Sequence, residues 1–321
     1  HAGRWAIQRG PQRRSLRPTL AGAFPEGHQQ VLPGGYGVTS GLCLSDRQEQ
    51  EVTDTHQLPA GQAVIVLAAS DAHRVAHLAG ERRLSRDLPL SPAQPAQVSA
   101  GRSLRIGLMG RERDQRDSYP ANLLSLQAAA EQLNYHLDIR LLPPATLSAD
   151  LHQLDDLHGV VLPGGSSMAA VIGQIAVAKA TRQRRIPTLG LCLGMQSMCT
   201  AVVQQQAGYE QAILAEVAPD APLHSFVRFD DLRHRCGLFA FPAPAPYQRM
   251  HYNHRYYFNP QLLPQLLAGG IEVSVQTDDI VEAIRCASHP FWQGVQGHPE
   301  LMSRPDAPHP LFSRFLRAVA S

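Results

Sequence analysis

The sequence predicts an α/β fold: a doubly wound, mostly parallel sheet with helices on both faces, preceded by an N-terminal extension to which it assigns no fold. Two observations carry the expectation. From residue 104 onward, short apolar runs alternate with patterns of helical period, as parallel strands joined by crossover helices require. Two of those runs end in glycine turns, Pro163-Gly164-Gly165 and Gly190-Leu191-Cys192-Leu193-Gly194, at the strand ends where such sheets bind ligands.

Taken in order, residues 4–18 are rich in Arg, Gln and Pro and are expected to be a mobile, solvated tail. Residues 63–68, Ala-Val-Ile-Val-Leu-Ala, read as a strand, and Val75, Leu78 and Leu84 suggest a helix after it. Residues 89–103, with Pro92, Pro95 and Gly101, read as a linker. The chain therefore divides into 1–103, extension and linker, and 104–321, the alternating domain. Within the latter, strands are expected at 104–110, 137–142 and 159–162, with a helix at 123–133 between the first two. A helix at 168–184 leads to a strand at 186–189 and then the glycine turn. Met195, Met198, Cys199, Val202 and Val203 mark a helix ending near Gly208. Residues 226–241 read as short mixed strands. Strands at 271–275, 281–285 and 292–296 follow, and an amphipathic helix at 310–319 closes the chain.

Composition narrows the function. Net charge is +2, which argues against a strong electrostatic commitment to nucleic acid or to an anionic membrane. Basic charge is nearly all Arg, with Lys179 the only lysine. The five cysteines, Cys43, Cys192, Cys199, Cys236 and Cys286, are odd in number and include no Cys-x-x-Cys pair. They form neither a disulfide framework nor a zinc site, and a reducing cytoplasm is the expected compartment. No apolar run nears the ~18 residues of a membrane span, and the first residues lack the apolar core of a signal peptide. The sequence opens on His1 rather than Met, as expected of a truncated chain or one carrying an added remnant. No metal or cofactor is expected.

The chemistry centres on Cys192. A strand, a Gly-x-Cys-x-Gly turn and a helix form a nucleophile elbow, in which the glycines are expected to permit a strained turn. The following helix aims its N-terminal amides at the sulfur, which favours the thiolate. A base and its orienter are supplied by His298-Pro299-Glu300. Pro299 is expected to hold His298 extended, so that residues 298 and 300 point the same way and Glu300 accepts from one imidazole nitrogen while the other faces Cys192. Backbone amides of Leu193 and Gly165 suit a developing oxyanion. The echo Leu32-Pro33-Gly34-Gly35 with Gly41-Leu42-Cys43-Leu44 is a decoy, because eight residues leave no room for a crossover helix. Cys199, Cys236 and Cys286 read as core, and His289, followed by Pro290 and then Phe291, as structural.

These motifs carry a resemblance. Pro163-Gly164-Gly165, the run from Gly190 to Gln196 and His298-Pro299-Glu300 are similar to those of class I glutamine amidotransferases. The narrower match is to the glutaminase domain of CTP synthases. It rests on Gly-Leu-Cys-Leu-Gly-Met-Gln at 190–196, on His254-Arg255-Tyr256 with Phe258-Asn259, and on His289-Pro290-Phe291-Trp292. Gly294-Val295-Gln296, Ser303-Arg304-Pro305 and Pro310-Leu311-Phe312 extend it. It covers about residues 104–321. The resemblance implies hydrolysis of L-glutamine to glutamate and ammonia through a cysteine thioester, with Cys192, His298 and Glu300 as the triad. Gly165 and the backbone of Leu193, Gly194, Met195 and Gln196 would hold the glutamine. Arg255 would pair with its α-carboxylate and Glu216 with its α-amino group, one cation and one anion for a zwitterionic head.

Departures from the family pattern shape the remaining expectations. Gly297 stands where the family usually has Phe, and is expected to open space beside His298. Tyr252, Asn253 and Tyr257 replace charged residues around the His-Arg-Tyr segment. Residues 1–100 are too short for a CTP-forming domain, and no Gly-x-x-x-x-Gly-Lys-[Ser/Thr] loop occurs. A free-standing glutaminase passing ammonia to a separate acceptor or synthetase is therefore expected. Two other readings stand beside it: a γ-glutamyl hydrolase of the same fold with a larger leaving group, and a non-catalytic regulatory module that keeps the pocket. Oligomeric state is not readable from the sequence.

Overall fold

The structure, a computed structural model, describes residues 29–33, 42–45, 51–52, 64–66, 101–111, 115, 121–147, 150–165, 167–303 and 307–321. Four short strands come first, β1 (Gln29–Pro33), β2 (Leu42–Ser45), β3 (Glu51–Val52) and β4 (Val64–Val66), in the order β3-β2-β1-β4. β4 falls within the strand expected at 63–68. β1 and β2 are antiparallel, with Leu32 opposite Cys43, so Cys43 lies inside a strand and at no strand-turn-helix junction. The expected tail at 4–18, the helix near Val75 to Leu84 and the linker as far as residue 100 lie outside the described residues.

The main sheet has seven strands: β5 (Ser103–Met109), β6 (His136–Leu142), β7 (Gly159–Leu162), β8 (Thr188–Leu191), β14 (Glu272–Thr277), β15 (Ile280–Arg285) and β16 (Trp292–Val295). Their order is β14-β15-β16-β8-β7-β5-β6. Pairings from β16 through β6 are parallel, and β15 and β14 add an antiparallel edge. The crossovers use α1 (Ala121–Gln132), α2 (Pro144–Leu147) and α3 (Met168–Arg184), and α4 (Leu193–Val203) follows β8. Later come α5 (Leu263–Ala268) and the closing α6 (Pro310–Ala320).

Helices cover both faces because successive strand residues point to opposite sides. On β7, Val160 and Leu162 join the core made with α3 and α4, while Val161 joins the core made with α1 and α6. α6 buries Leu311, Phe312, Phe315, Leu316 and Val319, one stripe at helical spacing. It lies so close to β7 that a side chain at Gly159 would run into Val319 and Phe315.

Several boundaries differ from expectation, and three of them have a clear local reason. β5 starts at Ser103, the last residue assigned to the linker, because Ser103 already pairs with His136. β8 runs from Thr188 to Leu191 instead of 186–189. Pro187 has no N–H for the ladder, and pairing with β16 begins at Thr188 opposite Trp292. α4 stops at Val203, short of Gly208. There the polar Gln204-Gln205-Gln206 ends the apolar pattern, and Gln205 and Gln206 close three-residue turns onto Val202 and Val203.

The remaining strands lie beside the C-terminal half of the main sheet. β9 (Ile213–Leu214), β10 (His224–Arg228) and β13 (Tyr256–Phe258) form a three-stranded sheet in the order β13-β10-β9. β11 (Arg235–Ala240) and β12 (Arg249–His254) form an antiparallel ribbon. Among the described residues no helix is long and apolar enough to cross a membrane.

Candidate active site

β7, β8 and β16 are adjacent and parallel, so their carboxyl ends meet at one edge of the sheet. Pro163-Gly164-Gly165 follows β7, Cys192 follows β8, and Gln296, Gly297 and His298 follow β16. Residues more than a hundred apart in sequence thus gather in one place.

Cys192 is the link between β8 and α4. Its φ is +49° and ψ −106°, outside the regions an L-residue normally occupies. A backbone of this kind costs about 1–3 kcal/mol and persists only where its surroundings impose it. Here the Cys192 N–H donates to the Val295 carbonyl at 2.8 Å, and the Cys192 carbonyl accepts from the Gln196 N–H at 3.0 Å. The strained turn expected between the two glycines is present, and the strain lies on Cys192 itself. Neither Gly190 nor Gly194 has positive φ. They are required by close approach instead: a Cβ on Gly194 would lie 1.9 Å from the Leu162 carbonyl oxygen, and one on Gly190 2.3 Å from Met198 Sδ. The chain packs α4 against the ends of β7 and β8, and the cysteine takes the strain.

His298 and Glu300 are paired as expected, by a different backbone. Residues Pro299–Leu301 form a single 3₁₀ turn, with His298 at φ −116°, ψ 76°, where an extended segment was expected. Proline fits the first position of a helical turn, since its missing N–H has no partner there anyway. His298 Nδ1 still meets Glu300 Oε1 at 2.7 Å, with the two side chains 2% and 0% exposed. The His298 N–H donates to the His251 carbonyl at 2.7 Å, and Ser125 Oγ donates to the Glu300 carbonyl at 3.3 Å. Burial alone would lower the His298 pKa; the carboxylate of Glu300, followed by the sulfur of Cys192, outweighs it and pushes the pKa up to about 10. The sulfur acts on the ring both through charge and as a hydrogen-bond partner. By contrast, burial takes the neighbouring His251 and His254 down to about 3, helped by His298 at His251 and by Arg235 at His254. One protonated imidazole therefore stands among neutral ones.

On the opposite side, Gly165 and Leu193 are in contact: a Cβ on Gly165 would lie 3.2 Å from Leu193 Cδ2. The turn carrying Gly165 is latched to the elbow helix. Gln174 of α3 donates to the Pro163 carbonyl at 2.8 Å and accepts from Ser197 Oγ of α4 at 3.0 Å. All four N-terminal amides of a helix lack intrahelical acceptors, which leaves the Leu193 N–H available beside the sulfur.

Glu216 follows β9, and Arg255 links β12 to β13. The small sheet carrying them packs on α4, where Thr200 Oγ1 and Ser225 Oγ are 2.7 Å apart. Glu216 senses Arg255: desolvation raises the Glu216 pKa and the Arg255 charge opposes the rise. Gly194, Met195 and Gln196 form the buried first turn of α4.

The expected opening beside Gly297 is not there. Met250 of β12 occupies that space, with Sδ only 2.5 Å from where a Cβ would sit, and the backbones of residues 251 and 298 pair directly. Methionine's flexible, polarizable side chain suits such gap filling.

Two features of the site went unread in the sequence. Gln296 reaches the nucleophile, its Nε2 3.6 Å from Cys192 Sγ. Its place two residues before His298 was the available signal. The second is a buried ion pair, Arg235 Nη2 to Glu282 Oε1 at 2.9 Å, which no local pattern announces. The Arg235 guanidinium lies over the rings of Phe239, Phe241 and Tyr252 and within 3.1 Å of His254 Nε2.

An α/β sheet with a strained cysteine elbow and a neighbouring His-Glu pair defines a class, and comparison with known proteins names it. A family model for glutamine amidotransferase class-I matches residues 115–318, and the chain belongs to that family. More particularly, it is 34% identical over 239 residues to a CTP synthase of Moorella thermoacetica, covering 68% of this chain and 44% of that protein. It is 31% identical over 238 residues to a CTP synthase of Bacillus cereus, covering 67% of this chain and 44% of that protein. The chain thus spans less than half the length of these curated relatives. Among solved structures, the Trypanosoma brucei CTPS glutaminase domain with bound acivicin matches with a TM-score of 0.63 at 25% identity, covering 68% of this chain and 94% of that one.

Proposed function

We propose that this chain hydrolyses L-glutamine to glutamate and ammonia, as a glutaminase of the CTP-synthase type, and that the ammonia passes to a separate acceptor or synthetase. The observation that carries the reading is the strained Cys192 at the strand–helix junction with the buried His298–Glu300 pair beside it. In this reading the Cys192 thiolate attacks the side-chain carboxamide carbon of glutamine. The N–H groups of Leu193 and Gly165 receive the negative charge on oxygen. His298, kept protonated by Glu300, gives its proton to the departing nitrogen, and ammonia leaves behind a γ-glutamyl thioester. Water then loses a proton to His298 and attacks the thioester; the C–S bond breaks, its electron pair stays on sulfur, and glutamate departs.

Arg255 and Glu216 are the proposed head-group pair, Arg255 for the α-carboxylate and Glu216 for the α-amino group, with Gly194, Met195 and Gln196 lining the floor. The γ-glutamyl hydrolase reading needs room for a larger leaving group, and Met250 in the space beside Gly297 speaks against it. The non-catalytic reading leaves the strain at Cys192 without a purpose.

Steady-state kinetics on glutamine and on a bulky γ-glutamyl anilide test the assignment. Glutamine is expected to have the higher kcat/KM. Arg255→Ala removes a charge-assisted contact of about 1.5–3 kcal/mol, which corresponds to roughly tenfold to a hundredfold in KM with a smaller change in kcat. A higher kcat/KM for the anilide would overturn the glutaminase assignment, and an unchanged KM in Arg255→Ala would overturn the head-group site.

A further inference from the structure

Gln296 is fully buried at the end of β16, two residues before His298. Its backbone N–H donates to the Glu282 carbonyl at 2.8 Å, which fixes the chain there. Its side chain bridges two groups of the elbow. Nε2 stands 3.6 Å from Cys192 Sγ, and Oε1 accepts from Gln196 Nε2 at 3.2 Å. Gln196 is anchored in turn: its N–H donates to the Cys192 carbonyl, and its carbonyl accepts from Thr200 Oγ1 at 2.8 Å. A primary amide carries two N–H donors and one acceptor oxygen, whereas a thiolate only accepts. With the Gln296 oxygen engaged by Gln196, its N–H groups face the sulfur.

We infer that Gln296 is a fourth catalytic side chain, donating a hydrogen bond to the Cys192 sulfur and held in the donating orientation by Gln196. The inference rests on the reading of Cys192 as the nucleophile. Gln296 and His298 leave the same segment and converge on one atom, the histidine bringing a charge and the glutamine a neutral donor. A thioester sulfur is a weaker acceptor than a thiolate, so the contact is strongest in two states. One is the resting enzyme. The other is the breakdown of the thioester, when the C–S bonding pair returns to sulfur. Gln296 thus stabilises the leaving group of deacylation, a role separate from the proton transfers of His298.

Alkylation of Cys192 by iodoacetamide, followed by peptide mass spectrometry across about pH 5–10, reads this contact without glutamine. The titratable groups around the sulfur are His298 and, next to it, Glu300, His251 and His254; all are retained in the variants. In Gln296→Met the half-maximal pH is expected to move up by about one unit, which lowers the rate about tenfold on the acid side of the profile, for loss of one hydrogen bond to a charged group. In Gln296→Glu, nearly the same shape, a carboxylate opposes the thiolate and the shift is larger. Both variants keeping the wild-type profile overturns the inference. Thermal melts accompany each profile, and if the Met variant melts early, the near-isosteric Glu variant decides. Shifted profiles in a chain that releases no ammonia from glutamine would remove the glutaminase reading and leave the role of Gln296. Turnover with flat profiles would do the reverse.

Discussion

At the scale of single residues, the site places strain and charge on different side chains. Cys192 carries the unfavourable φ, and His298 carries a proton that burial alone would remove. The second point has a thermodynamic consequence. The His298 pKa is about 10 in the fold against 6.5 for the free side chain. A raised pKa gives stability that is full below the unfolded value and is lost as pH rises toward the folded one. Stability from this residue is therefore expected to decline from about pH 6.5 to about pH 10. Glu300→Gln removes the largest cause of the rise, so the difference between wild-type and variant melting temperatures should shrink across that window; parallel curves would contradict it. His298 and Glu300 were legible because a short His-x-Glu spacing joins them. The 3₁₀ turn was not, since a proline before an acidic residue suits both an extended segment and the first position of a helical turn. Met250 was invisible for another reason: its contact with Gly297 is tertiary.

Elements differ in how openly their sequences describe them. β5, β6, β7 and α3 were read within about two residues: β7 is a continuous apolar run buried along its length, while β6, at the sheet edge, alternates Leu137, Ile139 and Leu141 with His136, Asp138 and Arg140. β12 was not read. Its Met250-His251-Tyr252-Asn253-His254 buries polar side chains on both sides, which erases the alternation. Its partners explain it: His254 and Tyr252 close around Arg235, whose charge is met by Glu282 on β15. Breaking a buried pair strands a charge at a cost of about 3–5 kcal/mol, while replacing both partners with apolar groups is often neutral. Arg235→Met is therefore expected to lose that amount in urea unfolding, and the Arg235→Met, Glu282→Leu pair to recover most of it. A double variant as unstable as the two single losses added together would contradict this. Packing at the elbow makes a sharper demand. Gly194→Ala sets a methyl against the Leu162 carbonyl oxygen, and overpacking of this kind costs about 3 kcal/mol or more. Wild-type stability in that variant would mean that α4 can lift from β7.

For the whole molecule, the alternating pattern from residue 104 foretold a mostly parallel sheet with the glycine turns and the His-Pro-Glu segment at strand ends; its antiparallel edge was not read. The order of the strands, with β16 inserted next to β8, was beyond it. That order follows from pairings between segments a hundred residues apart, which no local pattern encodes. We propose that residues 104–321 fold as a unit without the preceding segment. Ser103 belongs to β5, so the chain should be cut near residue 101 to keep that strand whole. Residues 101–321 are expected to be soluble and to melt in one cooperative transition. Loss of that transition would assign the preceding residues to the core.

The central claim is that Cys192 is the nucleophile of a glutamine hydrolysis, and one measurement addresses it directly. Wild-type protein and Cys192→Ala are incubated with glutamine, and separately with an electrophilic glutamine analogue, following glutamate and ammonia release in one case and the labelled peptide in the other. The wild type should release both products and carry label on Cys192 alone. The variant should retain its fold, release neither product and take up no label. Labelling at Cys43, Cys199, Cys236 or Cys286, or ammonia release undiminished in Cys192→Ala, would contradict the account.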